Sequence, residues 1–170
     1  NGEEVCELGL CFPGTPPCYP GLLCDEAQQQ CLAPAPIVIA ATSESAQPGV
    51  VDVGSPYCIQ YSLTNYTPLA GDLMRFFAIP LVTGPTVEIV VFDPPWLDGS
   101  GVFHGCVDFT SIDGILVNCD TYAPGSTSVF VELRLERQVG GAPTIASIGR
   151  VKASFSPQSV DVILGVRCPR

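Results

Sequence analysis

Positive charge is what this chain has least of: Lys and Arg together number 7 against 17 Asp and Glu, a formal net charge of −10. A surface of that sign repels phosphate backbones and anionic lipid headgroups, so neither nucleic acid nor a membrane surface is an expected partner. Histidine is nearly absent, with His104 alone, which leaves a nucleophile no choice of base. Long apolar runs are missing too. The richest windows, Ile37 to Ala41 and Val87 to Phe92, have the length of strands and fall far short of a membrane helix. There is no Gly-rich phosphate loop, no CxxC redox pair, no paired zinc-ligand spacing and no twelve-residue EF-hand loop. The expectation is therefore a protein that is not an enzyme and carries no cofactor and no metal. Charge of either sign is scarce, 14% of residues against 46% apolar, where about a quarter charged is typical. Such a surface lacks the charges that keep monomers apart, which favours self-association.

Cysteine, by contrast, is abundant and unevenly placed. Cys6, Cys11, Cys18, Cys24 and Cys31 crowd the start, while Cys58, Cys106, Cys119 and Cys168 are spread through the rest. Without zinc or redox spacing they read as disulfides made in an oxidising space, hence a secreted or cell-surface protein. The sequence opens on Asn1-Gly2-Glu3-Glu4 with no basic n-region or apolar h-region, so a signal peptide is expected to have been removed already. Nine is an odd number, and one sulfur must stay free or pair with another chain.

Three regions follow from composition. Residues 1–33 form a head rich in Pro and Gly with too few apolar residues for a core, so disulfides must staple it. Residues 34–36, Pro-Ala-Pro, make a stiff extended hinge. Residues 37–170 carry short β-branched and aromatic segments: Ile37 to Thr42, Tyr57 to Asn65, Phe76 to Leu81, Thr86 to Phe92, Val102 to Phe109, Gly114 to Cys119, Thr127 to Gln138, Ala146 to Ser156 and Val160 to Val166. Turn signals such as Asp98-Gly99, Asp113-Gly114 and Gly140-Gly141 separate them, and no helical period survives. Seven to nine such strands indicate an all-β, antiparallel sandwich of immunoglobulin type.

Two resemblances sharpen this. The run Pro17-Cys18-Tyr19-Pro20-Gly21-Leu22-Leu23-Cys24-Asp25, followed by Cys31, resembles the later half of knottin-like modules, with Pro17 where one of two adjacent cysteines would stand. The family pairing, carried over, implies Cys6 with Cys18 and Cys11 with Cys24, leaving Cys31 as the free or inter-chain thiol. Knottin-like modules often inhibit proteases or channels, but this head has no Lys or Arg to present as a basic loop. The second likeness runs from Val53-Gly54 through Tyr61-Ser62-Leu63-Thr64-Asn65, Gly105-Cys106, Gly114-Ile115-Leu116-Val117-Asn118-Cys119, Ala123-Pro124-Gly125-Ser126-Thr127 and Ala146 to Ala153. It is similar to the "conserved repeat" immunoglobulin-like domain of bacterial and archaeal surface proteins. That resemblance implies a Cys106–Cys119 bridge across a hairpin. Counting strands alternately up and down then lets Cys58 meet Cys168; the competing arrangement bridges Cys31 to Cys58 and frees Cys168.

Candidate sites are few. Ile37, Val38, Ile39, Ala40, Ala41 and Thr42 behind the hinge suit an assembly strand that completes a second copy's sheet. Trp96, in Phe92-Asp93-Pro94-Pro95-Trp96-Leu97-Asp98, is a candidate ligand loop for a glycan, the mark of an adhesin or carbohydrate-binding module. Asn65-Tyr66-Thr67 is an acceptor sequon for N-linked sugar. Asp93, Asp98, Asp108, Asp113, Asp120 and Asp161 fall at turns, where Asp serves the backbone. The expected role is an extracellular filament, sheath or surface-layer subunit whose partners are copies of itself.

Overall fold

The computed structural model describes residues 5–7, 10–12, 23–25, 30–44, 49–92, 98, 101–121, 124–153 and 159–169, the first three of these segments and residue 30 as backbone. The chain is all-β, and it divides into two units, residues 1–36 and 37–170. The first holds two short antiparallel pairs. β1 (Val5–Glu7) lies against β2 (Leu10–Phe12) with Cys6 opposite Cys11, and β3 (Leu23–Asp25) lies against β4 (Gln30–Leu32) with Cys24 opposite Cys31.

The second unit contains β5 (Val38–Ser43), β6 (Val50–Asp52), β7 (Tyr57–Thr64), β8 (Leu73–Pro80), β9 (Val87–Phe92), β10 (Val102–Val107), β11 (Ser126–Val139), β12 (Ala142–Lys152) and β13 (Ile163–Arg167). Side chains alternate about the sheet plane, so every second residue points inward. On β7 the inward set is Tyr57, Ile59 and Tyr61, on β8 Met74, Phe76 and Ala78, and on β11 Val129, Val131, Leu133 and Leu135, all buried. One layer runs β10-β7-β5. The other runs β9-β8-β11, and β11 continues on its far side to β12 along one half and to β13 and β6 along the other. Tyr61 meets the Phe76 ring at 6.0 Å although their strands share no ladder, so the aromatic core spans the two layers. Phe103 stacks on Tyr61 at 4.8 Å and Phe92 closes the group, 5.3 Å from Phe76 and 5.0 Å from Phe103.

β12 belongs to both layers. It leaves β11 at the Glu132–Arg150 pair and joins β5 at Val151 opposite Ala41. Gly149 permits the crossing, because a Cβ there would stand 2.7 Å from the Ile39 Cβ. The β11–β12 hairpin turns through Gly140 and Gly141, both at positive φ (61° and 84°), the conformation a two-residue type I′ turn requires.

The expected sandwich needs two corrections. It is not purely antiparallel: β12 runs parallel to β5, and β13 runs parallel to β6, a three-residue strand too short to register in the sequence pattern. Nor is Gly114 to Cys119 a strand. A 3-10 turn at Thr110–Ile112 precedes it, the Ile112 carbonyl accepts from the N–H groups of Ile115 and Leu116, and an Asp113 carboxylate oxygen accepts from those of Gly114 and Cys119. These bonds curl the backbone, and Ile115 is left exposed.

Candidate assembly surfaces and the disulfide framework

The register of β7 and β10 sets the first bridge. Cys58 lies directly opposite Cys106, their Cα atoms 3.9 Å apart, and the two are disulfide-bonded. The second bridge joins Cys119 to Cys168, where the Cys168 N–H donates to the Gly125 carbonyl and β13 lies along the first half of β11. The expected Cys58–Cys168, Cys106–Cys119 and Cys31–Cys58 pairings are therefore wrong. The last strand folds back on β11 rather than beside β7, and no hairpin connects Cys106 to Cys119. Cys31 is also disulfide-bonded, which corrects its reading as the free or inter-chain thiol. The Cys58, Cys106, Cys119 and Cys168 sulfurs are paired among themselves, and the expected Cys6–Cys18 and Cys11–Cys24 pairings lie outside the described residues.

The two layers present different outer faces. On β8, β9, β11 and β12 the charges interlock. Arg75 reaches Glu136 at 2.7 Å and Glu88 at 2.6 Å; buried Glu132 takes Arg134 at 2.8 Å and Arg150 at 3.3 Å; Arg150 continues to Asp161 at 3.4 Å. Arg134 also lies over Phe77 at 4.2 Å and Arg150 over Phe130 at 4.7 Å, so these rings are roofed by guanidinium. At the end of this layer Arg137 donates to both oxygens of Asp72 at 2.9 Å and to the Thr67 carbonyl. Burial pushes the Asp72 carboxyl upward, but the bonds from Arg137, the Leu69 N–H and Tyr66 outweigh it and hold the pKa below the usual range. Tyr66, desolvated and facing Asp72, is pushed up to about 12. Arg167 closes on Asp52 at 2.6 Å. Each of the five described arginines thus has a carboxylate partner inside its own chain.

The outer face of β5, β7 and β10 is different. It shows Val38, Ala40, Gln60, Ser62, Thr64, Val102, His104 and the Cys58–Cys106 bridge. Thr42, in the same set, is buried, its hydroxyl donating to the Lys152 carbonyl at 2.9 Å. No Asp, Glu, Lys or Arg stands on these strands; Glu44, just beyond β5, meets His104 Nδ1. The histidine is a partner to a carboxylate on an exposed surface.

The assembly strand begins one residue later than expected, at Val38, and lies in its own sheet between β7 and β12. Asn65 is exposed at φ 57°, in the turn after β7. Trp96 and Asp93 lie outside the described residues. Asp98 accepts from the Val102 N–H and Asp108 from that of Thr110, as turn aspartates do. Among the described residues no group of three His, Cys, Asp or Glu is placed to hold a metal ion. A groove of about 420 Å³ runs along β13 between Val50 and Val82, floored by Ser128 and Gly165; its one charged lining residue, Arg167, is the one bonded to Asp52. No helix of the described residues is long and apolar enough to cross a membrane.

No family model matches the sequence, and no curated protein does. A solved structure of three N-terminal domains of the bacteriophage RB49 highly immunogenic outer capsid protein is similar over 79% of this chain, at 5% identity and a TM-score of 0.32. The match covers 41% of that structure, and so distant a likeness carries no argument about role.

Proposed function

We propose that this chain is an extracellular structural subunit that associates with copies of itself through sheet edges. The observation that carries the reading is the way charge is used: each described arginine is committed to a carboxylate inside the chain, while β5, β7 and β10 bear no Asp, Glu, Lys or Arg and β10 has no strand on its outer side among the described residues. The bridges Cys58–Cys106 and Cys119–Cys168 support an oxidising compartment, and the resemblance to surface-protein domains points the same way. Exchange of β5 between copies is not needed for this. β5 already completes its own sheet, and edge pairing adds a copy without unfolding the first. The test is size-exclusion chromatography with light scattering over a concentration series, followed by negative-stain microscopy. Concentration-dependent oligomers or filaments are expected; a monomer at every concentration overturns the reading.

A further inference from the structure

The second unit exposes four stretches of unpaired strand edge among the described residues, and three carry the devices that blunt such edges. β6 is three residues long. β9 carries Glu88 and a register shift in its pairing with β8. The first half of β12, beyond its pairing with β11, contains Pro143. β10, Val-Phe-His-Gly-Cys-Val, has no charge of fixed sign, no proline and no register break, and it is riveted flat onto β7 by the Cys58–Cys106 bridge.

The direction of its backbone groups follows from the register. A Cα separation of 3.9 Å marks Cys58 and Cys106 as a non-hydrogen-bonded pair, whose N–H and C=O groups point away from each other. The Cys58 carbonyl accordingly accepts from the Glu44 N–H on its far side. On β10 the groups of Cys106, His104 and Val102 therefore face outward. Those of Val102 are taken by the Asp98 turn, its N–H by the Asp98 carboxylate at 3.0 Å and its carbonyl by the Asp98 N–H at 2.8 Å. The groups of His104 and Cys106 remain, and Gly105 lies between them.

We propose that β10 pairs antiparallel with β10 of a second copy about a two-fold axis through Gly105, which deepens the self-association reading and rests on it. In that register His104 of one copy stands opposite Cys106 of the other, and the two equivalent pairs exchange four backbone hydrogen bonds. The edge is self-complementary, as a two-fold contact demands. The strand itself bears no carboxylate, nearby Glu44 is held by His104, and the two carboxylates that flank the strand, Asp98 and Asp108, each accept a backbone N–H of their own chain, from Val102 and Thr110. Gly105 suits the axis because its inward side is filled by the Phe103 ring, which a Cβ would meet at 2.4 Å. The interface is backbone first, with little side-chain bulk to interfere.

The test uses the full chain under non-oxidising and non-reducing handling. Sedimentation and light scattering over a concentration series are run on the wild type, on His104→Lys, which puts a fixed charge on the edge strand, and on His104→Pro, which removes the outward donor. The expected result is a dimer weakened at least 10-fold by either change, with an unaltered melting curve at concentrations where the wild type is monomeric. Dimerisation strengthens as salt screens the net charge, and the amides of His104 and Cys106 become protected from hydrogen exchange at high concentration. Should His104→Pro fail to fold, His104→Lys decides, because that side chain is on solvent. Association unchanged by His104→Lys, or amide protection confined to another strand, overturns the β10 contact and leaves self-association standing. Absence of any association overturns both.

Discussion

The two layers of the larger unit reach stability by different means. The layer of β8, β9, β11 and β12 is closed over by ion pairs and guanidinium–ring contacts that stay within one chain, while the layer of β5, β7 and β10 is nearly free of charge and is held by a covalent rivet. A face whose charges are paired within one chain has to desolvate those ion pairs to receive a copy of itself. A neutral face with an open edge does not. The contrast teaches that scarcity of charge is local here, and that its location marks where contact is tolerated.

The largest expected effect comes from the rivets. Cys58–Cys106 and Cys119–Cys168 close loops of similar length, with sequence separations of 48 and 49, so chain entropy assigns each about 4 kcal/mol. Cys58→Ala/Cys106→Ala and Cys119→Ala/Cys168→Ala are each expected to lose roughly that amount in denaturant unfolding. Their accessibility differs: Cys106 is exposed, whereas Cys168 is 5% exposed. A small dithiol should therefore open Cys58–Cys106 first, read by alkylation and peptide mass. If Cys119–Cys168 opens first, the assignment of the neutral layer as the accessible one is broken.

Next in size is the Arg137–Asp72 pair, where a carboxylate with a fully buried side chain has one guanidinium as its cationic partner beside the Leu69 N–H and Tyr66. Arg137→Met leaves that carboxylate with only the Leu69 N–H and Tyr66 and is expected to cost about 3 kcal/mol, because breaking one half of a buried pair leaves the other charge uncompensated. The sign with pH is fixed. Asp72 has a depressed pKa in the folded state, so its contribution is present above the unfolded value near 4 and is lost as pH falls through the folded one. The deficit of Asp72→Asn relative to wild type should accordingly be full at pH 7 and shrink below about pH 4 in thermal melts. A deficit independent of pH would mean that the pair contributes by shape alone.

Much of this fold was legible as alternation. Tyr57-Cys58-Ile59-Gln60-Tyr61-Ser62 and Thr127 to Gln138 show a period of two, and Gly140-Gly141 marks its hairpin, because these features are local. Pairing across the chain was not legible. Which strand lies beside β5 depends on β12 crossing between layers at Gly149, and an up-and-down count of strands cannot anticipate a strand shared by both. The expected Cys58–Cys168 bridge inherited the error of that count, since it needed the last strand beside β7, where β10 and β5 stand instead. Ile115-Leu116-Val117 misled in another way: three apolar residues suggest a strand, but the Ile112 carbonyl accepts from their N–H groups and Asp113 from those of Gly114 and Cys119 on either side. Of the candidate site, the neutral composition of β10 was readable, whereas the direction of its free backbone groups required the register.

The smallest effect on stability tests the edge logic most directly. Glu88 is exposed on β9 and pairs with Arg75, which keeps a second partner in Glu136, so Glu88→Thr should change unfolding free energy by less than about 0.5 kcal/mol. Its consequence for association should be larger. The substitution removes the fixed charge from β9 and supplies a residue that strands favour, making a second outer strand resemble β10. Glu88→Thr is expected to add a self-contact that His104→Lys does not abolish, seen as oligomers beyond the dimer in light scattering. If the variant associates no more than wild type, charge is not what separates the two edges, and the register shift between β8 and β9 is the stronger guard.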